Sequence, residues 1–432
     1  MSTQVASALA ALRELGTPGE IRALADRGGR SKPLRTNTHI HLPPNFSAFD
    51  TIEQAVALAA EQQIAVLGVS NYYDYDVYGQ FADRARGAGI FPLFGLEIMA
   101  MQEELRAAGV KVNDPGNPGK TYLCGKGITR FAPMSDAAKR LINVIRRNDS
   151  QRMAAMIDRL RTIFQERGLE TNLNERAVIE LVERRHGSPR ETVYLQERHV
   201  SQAFQEALFE RVRPDERLER LNMLLGAKPQ AAGPDDHVAI QNDIRSHLMK
   251  AGKAAFVDEA YLSFEDAQRL VLELGGIPSY PVLADGASPI CAFEADADQL
   301  ISKLQARNVY AVEWIPIRNS VNVVRHYVTR MRDAGFMVTA GTEHNTLDLV
   351  PFDPYCKDGA VPDDVREIFC EGAYVVAAHQ FLTLHGERGF VDAAGTPNAA
   401  YGLADERIRD FARIGAAVIE RYHATCAAGR HF

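Results

Sequence analysis

Residues 36–42, TNTHIHL, followed by IEQAVALAAEQQ (52–63) and IAVLGVS (64–70), decide the fold. The first run alternates as a strand does, the second repeats its apolar residues with a helical period, and the third is typical of a short buried strand. A further helix over 77–88 leads into a third strand, IFPLFGLEIMA (90–100). Strand, helix, strand, helix, strand is the order of βαβ units, which predicts a parallel sheet or barrel.

A long helical segment interrupts this order after a fourth predicted strand, TYLCG (121–125). From about 135 to 252 the sequence is charged and helical in period, which predicts an all-helical insertion. The strand pattern then resumes in three short apolar runs, 277–283, 309–315 and 336–342. Seven strands with intervening helices favour a (β/α)7 barrel over a doubly wound sheet, and no GxGxxG follows the first strand to support dinucleotide binding.

The chain is therefore expected to divide into three parts. Residues 1–33 form an N-terminal helical extension, with one amphipathic helix over 3–26. The barrel and its C-terminal helices comprise 34–134 and 253–432, and the insertion that caps the barrel comprises 135–252.

Composition argues against several classes of function. The chain has 432 residues, 46% of them hydrophobic, and a net charge of -7, which gives no electrostatic footprint for nucleic acid or anionic membranes. Five scattered cysteines without a CxxC pair argue against a disulfide framework and against a thiolate zinc site. The sequence shows neither a signal peptide nor a run of about 18 apolar residues, so the expected compartment is the cytoplasm. The oligomeric state stays open.

Four residues at the ends of three predicted strands have the chemistry of a metal site. Side chains two apart in a strand share a face, so His39 and His41 point together, near the strand end where barrel enzymes keep their sites. Glu97 ends the third strand in GLEI, and Glu343 ends the last strand in AGTEHNT. Two imidazoles and two carboxylates form a ligand set for one Zn, Mn or Fe ion. Ordinary strand-end polarity explains any one of these residues, but it explains all four less well.

Other residues after predicted strands have weaker assignments. Arg130 in GITRF and Arg318 in IPIRN can each clamp an anion with the guanidinium group, or simply lie on the surface. In VEWIP, strand alternation turns either Glu313 or Trp314 inward, and core packing of the tryptophan is the expectation.

The order of these motifs resembles that of the PHP (polymerase and histidinol phosphatase) superfamily. The resemblance is carried by THIHLPPNFSAFDTIEQAVALAAEQQIAVLGVSN, GIFPLFGLEI and AGTEHN, and it covers about 34–130, the surroundings of 199, and 265–350. It implies a distorted seven-stranded barrel, one to three divalent ions and usually phosphoester hydrolysis. The segment ERHVSQAF resembles the family's Arg-Pro-His segment, which implies that His199 is a metal ligand or a phosphate contact. A polar residue in the first turn of a helix is the alternative for His199.

Several ligand positions of the family are substituted in this chain, three of them by tyrosine. The substituted segments are Ser70-Asn71-Tyr72 for a Thr-Asp-His type motif, Tyr122-Leu123-Cys124-Gly125 for His-Leu-Leu-Gly, Tyr280-Pro281 for His-Pro and Glu343-His344-Asn345 for Asp-x-His. A phenol with a pKa near 10 seldom binds a divalent ion at neutral pH. Tyr72, Tyr122 and Tyr280 are therefore expected either to contact the substrate or to fill vacant ligand positions. The remaining ligands suffice for one ion.

Two main hypotheses of function follow. In the first, the chain is a metal-dependent hydrolase of a small molecule, in which one ion activates water against a phosphoester or related bond. His199 and Arg318 would then serve the reaction, and Arg130 and the tyrosines would bind substrate. In the second, the barrel has lost catalysis and binds a small molecule or a protein partner. A third, weaker hypothesis is hydrolysis or isomerisation of a sugar or an acid at a single-ion site.

Overall fold

The barrel has the strand order that the sequence predicts. The computed structural model describes residues 3–28 and 33–429, and within them eight strands form one sheet. The strands are β1 (Thr36–Ile40), β2 (Val66–Val69), β3 (Phe91–Met101), β4 (Lys120–Lys126), β5 (Leu262–Ser263), β6 (Ile277–Val282), β7 (Ala311–Trp314) and β8 (Met337–Ala340). Their order is β1-β2-β3-β4-β6-β7-β8, with the two-residue β5 paired to β3 off this path. The seven strands on the path match the seven predicted ones, so the distorted barrel is confirmed.

The distortion lies at β4, which pairs antiparallel with both β3 and β6. The other neighbours on the path pair in parallel. An antiparallel neighbour needs no crossover, and the chain between β3 and β4 holds only a five-residue helix, Glu103–Ala107. The ring closes between β1 and the chain just after β8 through a parallel bridge of Ile40 and Glu343.

Helices cover the barrel and build the insertion. They are α1 (Thr3–Arg13), α2 (Pro18–Asp26), α3 (Ile52–Glu61), α4 (Val77–Gly87), α5 (Glu103–Ala107), α6 (Asp136–Glu166), α7 (Glu175–His186), α8 (Glu197–Arg211), α9 (Arg217–Leu225), α10 (His237–Ile244), α11 (Phe264–Glu273), α12 (Ala297–Gln305), α13 (Val321–Asp333), α14 (Asp363–Leu384) and α15 (Ala404–Ala427). A small hairpin of β9 (Tyr355–Cys356) and β10 (Gly359–Ala360) precedes α14. None of the helices within residues 3–28 and 33–429 has the length and apolar character needed to cross a membrane.

The expectation of one helix over 3–26 is wrong, because the chain breaks between α1 and α2. Thr17 is extended and starts α2 with a capping box: its hydroxyl accepts the Glu20 N–H at 3.2 Å, and the Glu20 carboxylate accepts the Thr17 N–H at 2.7 Å. Pro18 follows at the first helical position, which suits a helix start and not a helix interior.

The apolar interior forms two separate clusters. One cluster fills the barrel and the helices around it, and it includes Ala138 and Ile142 from the first turns of α6. The second cluster lies wholly between Met153 and Ala255, in the predicted insertion and the three residues that follow it. The insertion therefore packs around a core of its own, and α6 belongs to both parts.

Candidate metal centre

His39 of β1 and His41, which directly follows this strand, turn the same ring atom towards each other. His39 and His41 are 1% and 0% exposed, and their Nε2 atoms lie 3.3 Å apart. The opposite nitrogen of each ring is held from behind: His39 Nδ1 lies 2.6 Å from the Glu313 carboxylate, and His41 Nδ1 lies 3.4 Å from the Asn45 amide. The backbone after β8 passes close behind His39, where a Cβ on Gly341 would meet His39 Cβ at 2.3 Å.

Glu97 completes a group of three. Its Oε2 lies 3.2 Å from His41 Nε2 and 3.6 Å from His39 Nε2, and this buried oxygen has no hydrogen-bond partner among the described residues. Burial raises the pKa of Glu97, but the adjacent His41 and His39 imidazoles outweigh it and hold the pKa below its usual value. The carboxylate therefore remains charged in a buried place without a conventional donor, which is costly unless a cation is bound.

The spacing of these three atoms fits a divalent ion. A tetrahedral ion with bonds of about 2.0–2.1 Å holds its ligand atoms about 3.3 Å apart. The three separations among His39, His41 and Glu97 lie between 3.2 and 3.6 Å. Cys124 forms a second possible ligand group with His39 and Glu313, whose ligand atoms lie within 4.8 Å of one another. Burial, followed by the charge of Glu313, raises the pKa of that thiol well above its ordinary value, so Cys124 stays protonated and is the poorer ligand.

Glu313 is a residue of this site that the sequence reasoning missed. It is 0% exposed, and its carboxylate accepts Thr38 Oγ1 at 2.9 Å and pairs with Lys126 Nζ at 2.5 Å besides His39. Burial raises the pKa of Glu313, but Lys126 and His39 outweigh it and hold the pKa at about 2. Trp314 packs as expected, with its ring 5.9 Å from the ring of Tyr327 on α13. A carboxylate behind a ligating imidazole fixes the tautomer and orientation of the ring.

Glu343 closes the barrel with its backbone, and its side chain lines a cavity between the barrel and the insertion. Its N–H donates to His39 O at 2.8 Å, and its carbonyl accepts His41 N–H at 2.8 Å. Its carboxylate Oε2 pairs with Arg318 Nη2 and accepts the Asn345 amide at 2.5 Å. The structure brings His39, His41 and Glu97 together, and it places the Glu343 carboxylate beside that group, on Arg318. Both Glu343 and the next residue have positive φ, 58° and 51°, a strained conformation that clusters at functional sites.

The three tyrosines lie in different places. The Tyr72 ring stacks on His41 at 5.1 Å and 3°, and burial and then the charge of Glu97 raise its pKa well above the usual value. Tyr122 lines the same cavity. Tyr280 is 1% exposed, and its hydroxyl donates to the Glu294 carboxylate at 2.8 Å. It is not one of the described residues that line the cavity.

His199 and Arg130 also lie apart from the cluster. His199 is 2% exposed; its Nδ1 accepts the Gln196 N–H at 3.0 Å as part of the cap of α8, and burial lowers its pKa to about 3. The preceding residue, Arg198, lines the cavity instead. Arg130 is exposed and donates to Leu272 O at 3.2 Å, beside a separate surface depression. The sequence analysis therefore selected His199, whereas its neighbour Arg198 is the residue that lines the cavity.

A cavity of about 370 Å³ opens over Glu97 and Glu343, between the barrel and the insertion. That volume suits a small molecule. Among the residues that the structure describes, its charged lining comprises Lys120, Arg152, Arg198, Arg245, Lys250 and Arg318, with Glu97, Asp114, Asp149, Glu197, Glu259 and Glu343. The barrel and the insertion both contribute to this lining.

Comparison with known proteins identifies the fold and not the family. No family model matches the sequence, and no curated protein matches it. A solved structure of a candidate metal-dependent phosphoesterase from Bifidobacterium adolescentis matches with a TM-score of 0.52 and 14% identity, over 78% of this chain and 97% of that one. An amidohydrolase from Chromobacterium violaceum, solved with sulfate and without metal, matches with a TM-score of 0.48 and 15% identity, over 76% and 90% of the two chains. At such identity the likeness concerns the arrangement of the barrel.

Proposed function

We propose that the chain is a metal-dependent hydrolase of a small anionic substrate, with one divalent ion held by His39, His41 and Glu97. The observation that carries the proposal is the separation of 3.2–3.6 Å among three buried ligand atoms, one of which has no other partner among the described residues. Glu343 is the proposed fourth ligand. Both of its side-chain contacts use Oε2, which leaves Oε1 for an ion.

The residues around the group have distinct tasks. When bound, the ion supplies Lewis-acid polarisation and lowers the pKa of water to about 7. Glu313 holds the His39 ring in the tautomer that presents Nε2. Tyr72 shields one face of His41 and turns a protonated phenol towards Glu97, so it can donate a hydrogen bond at that edge of the cavity. Arg318 can exchange its partner Glu343 for an anionic group of the substrate.

The charges of the cavity favour an anionic substrate. Six cationic and six carboxylate side chains line it among the described residues, so they balance before any ion binds. A divalent ion adds two positive charges. Burial raises the pKa of Asp149 to about 6, so this carboxylate loses its negative charge as the pH falls below 6. A phosphoester or related anion would restore the balance.

Elemental analysis of the purified protein tests the proposal. We expect about one equivalent of Zn, Mn or Fe, lost in the double variant His39→Ala/His41→Ala and in Glu97→Ala, with weakened binding in Glu343→Ala. The exposed histidine His326 provides the matched control, because His326→Ala removes an imidazole on α13 away from the group. Turnover of a panel of phosphate esters that needs the same residues would support hydrolysis. Metal without any turnover would favour the alternative of a binding barrel, and absence of metal after reconstitution would refute the proposal.

A further inference from the structure

Arg198 is a charged side chain of the cavity whose guanidinium pairs with no carboxylate among the described residues. It lies at the start of α8, and its guanidinium carbon is 5.9 Å from the centre of the Phe46 ring. Burial, the nearby Arg245 and Arg318 lower its pKa to about 10, although Glu343 and Tyr72 act in the opposite direction. A half-buried arginine next to two other arginines is electrostatically unfavourable unless an anion compensates it.

Arg245 faces the same cavity from another element of the insertion. It opens a π-helical turn, Arg245–Met249, directly after α10, and such turns are rare and frequent at functional sites. Its Nε is buried without a hydrogen-bond partner among the described residues. Among the described residues its one carboxylate contact is with Glu197, at 3.6 Å.

That carboxylate is already engaged by stronger partners. Glu197 lies 2.6 Å from Arg152 Nη2 and 2.6 Å from Lys250 Nζ, and together these groups hold its pKa at about 2 against the effect of burial. Glu197 is thus shared by three cations, and the Arg198 guanidinium has no carboxylate of its own. The insertion side of the cavity therefore holds positive charge that its own residues do not neutralise.

We infer that Arg198 and Arg245 form a subsite for an anionic oxygen group of the substrate, a phosphate or a carboxylate. The inference rests on the proposed function in one respect, namely that the ligand of this subsite is the substrate. The subsite itself is built from the insertion and shares no residue with the metal group of His39, His41, Glu97 and Glu343. Guanidinium groups bind such anions with two parallel hydrogen bonds, which a point charge cannot do. The barrel then presents the reacting bond to the metal group, and the insertion selects substrates that carry the anion.

Calorimetric titration of the full-length, metal-free protein with inorganic phosphate and with acetate tests the subsite. We expect one of the two anions to bind, and Arg198→Gln and Arg245→Gln each to weaken that binding by at least about 10-fold, as expected for the loss of a hydrogen bond to a charged group. Arg198→Lys keeps the charge without the two parallel donors and should give an intermediate loss. Arg176→Gln, which removes an exposed arginine of α7, is the matched control and should bind as the wild type does. The anion that binds identifies the group as a phosphate or a carboxylate.

The subsite and the metal site fail in different ways. The variant His39→Ala/His41→Ala should keep its anion affinity, and Arg198→Gln should keep the wild-type metal content. Binding of neither anion by the wild type, or equal affinity in the wild type and both glutamine variants, would overturn the subsite. Thermal unfolding of each variant shows whether it is folded, and a variant that does not fold is replaced by its lysine counterpart in the same comparison.

Discussion

Replacing Glu313 with glutamine should destabilise the barrel by about 3–5 kcal/mol and weaken metal binding by about 10- to 100-fold. The change removes the charge that pairs with Lys126, whose side chain is 2% exposed, and leaves that ammonium with neutral acceptors, namely Thr38 O at 3.2 Å, Ser70 Oγ at 3.3 Å and the glutamine oxygen. Removing one member of a buried ion pair is expensive because the other charge remains buried. The loss of metal affinity follows because the glutamine amide no longer fixes His39 with a charged acceptor.

Urea unfolding followed by tryptophan fluorescence measures the first effect. The chain has one tryptophan, Trp314, which is 0% exposed and adjoins Glu313, so its emission reports the barrel. Metal-free samples isolate the cost of the buried charge, and competition with a zinc-binding dye then measures metal affinity. Removing both charges in Glu313→Gln/Lys126→Met should cost less than the sum of the two single variants, because the double variant leaves no buried charge unpaired.

Glu294→Gln is the matched control. Glu294 is also 0% exposed, but it accepts Tyr280 OH at 2.8 Å and Ala284 N–H at 2.6 Å, and the described residues place no cation against it. Burial raises its pKa to about 7. A glutamine whose oxygen takes the Oε2 position keeps the bonds from Leu283 and Ala284, and its amide group can donate to the Tyr280 hydroxyl, so the expected cost is about 1 kcal/mol or less. Equal shifts for Glu294→Gln and Glu313→Gln, or unchanged metal affinity in the latter, would refute the role given to Glu313.

Three further predictions concern charge and close packing. Glu197→Gln should cost about 3 kcal/mol at pH 7, because the pKa of Glu197 is about 2 in the folded protein and its ordinary value is 4.5. This stabilisation is fully present above pH 4.5 and is lost as the pH falls towards 2. Urea titrations should therefore show a smaller difference between variant and wild type at pH 3 than at pH 7. Asp149→Asn should have the opposite effect, because burial raises the pKa of Asp149 from 3.8 to about 6 and ionising this carboxyl costs stability as the pH rises. In thermal melts the variant should be more stable than the wild type by up to about 3 kcal/mol at pH 8 and similar to it at pH 4. Gly341→Ala should cost about 1–3 kcal/mol and displace His39, lowering metal content, whereas Gly402→Ala, with no atom within 4 Å of the new Cβ, should change neither.

The barrel could be predicted because its signals are local. Each strand on the path is a short apolar run between helices, and such runs show directly in the periodicity of the sequence. The reversal of β4 left no comparable signal, since an antiparallel strand has the same local pattern as a parallel one. The break between α1 and α2 did have a signal: Thr17 followed by Pro18 and Glu20 is a helix start within the run that was predicted as one helix.

The grouping of His39, His41 and Glu97 was predictable for the same reason, and its surroundings were not. The spacing of His39 and His41 in a strand fixes a shared face, and Glu97 ends a neighbouring strand. The role of Glu313 depends on Lys126 and His39, which are far from it in sequence, so alternation left the choice between Glu313 and Trp314 undecided. The same holds for Arg198 beside His199, where neighbouring helical residues point about 100° apart and only the packing of α8 shows which one meets the cavity.

The ion pairs that fasten the insertion to the barrel also line the cavity, and this links assembly to ligand binding. Arg152 on α6 is 6% exposed and pairs with Glu197 of the insertion at 2.6 Å and with Glu259, ahead of β5, at 3.0 Å. Glu259 in turn accepts Lys120 of β4 at 2.8 Å. Buried pairs of this kind contribute little net stability compared with apolar packing, so their value lies in the positions that they fix. The insertion has a core of its own and could otherwise shift without disturbing the barrel. The ion pairs therefore fix Arg198 and the neighbouring cations in position relative to His39, His41 and Glu97.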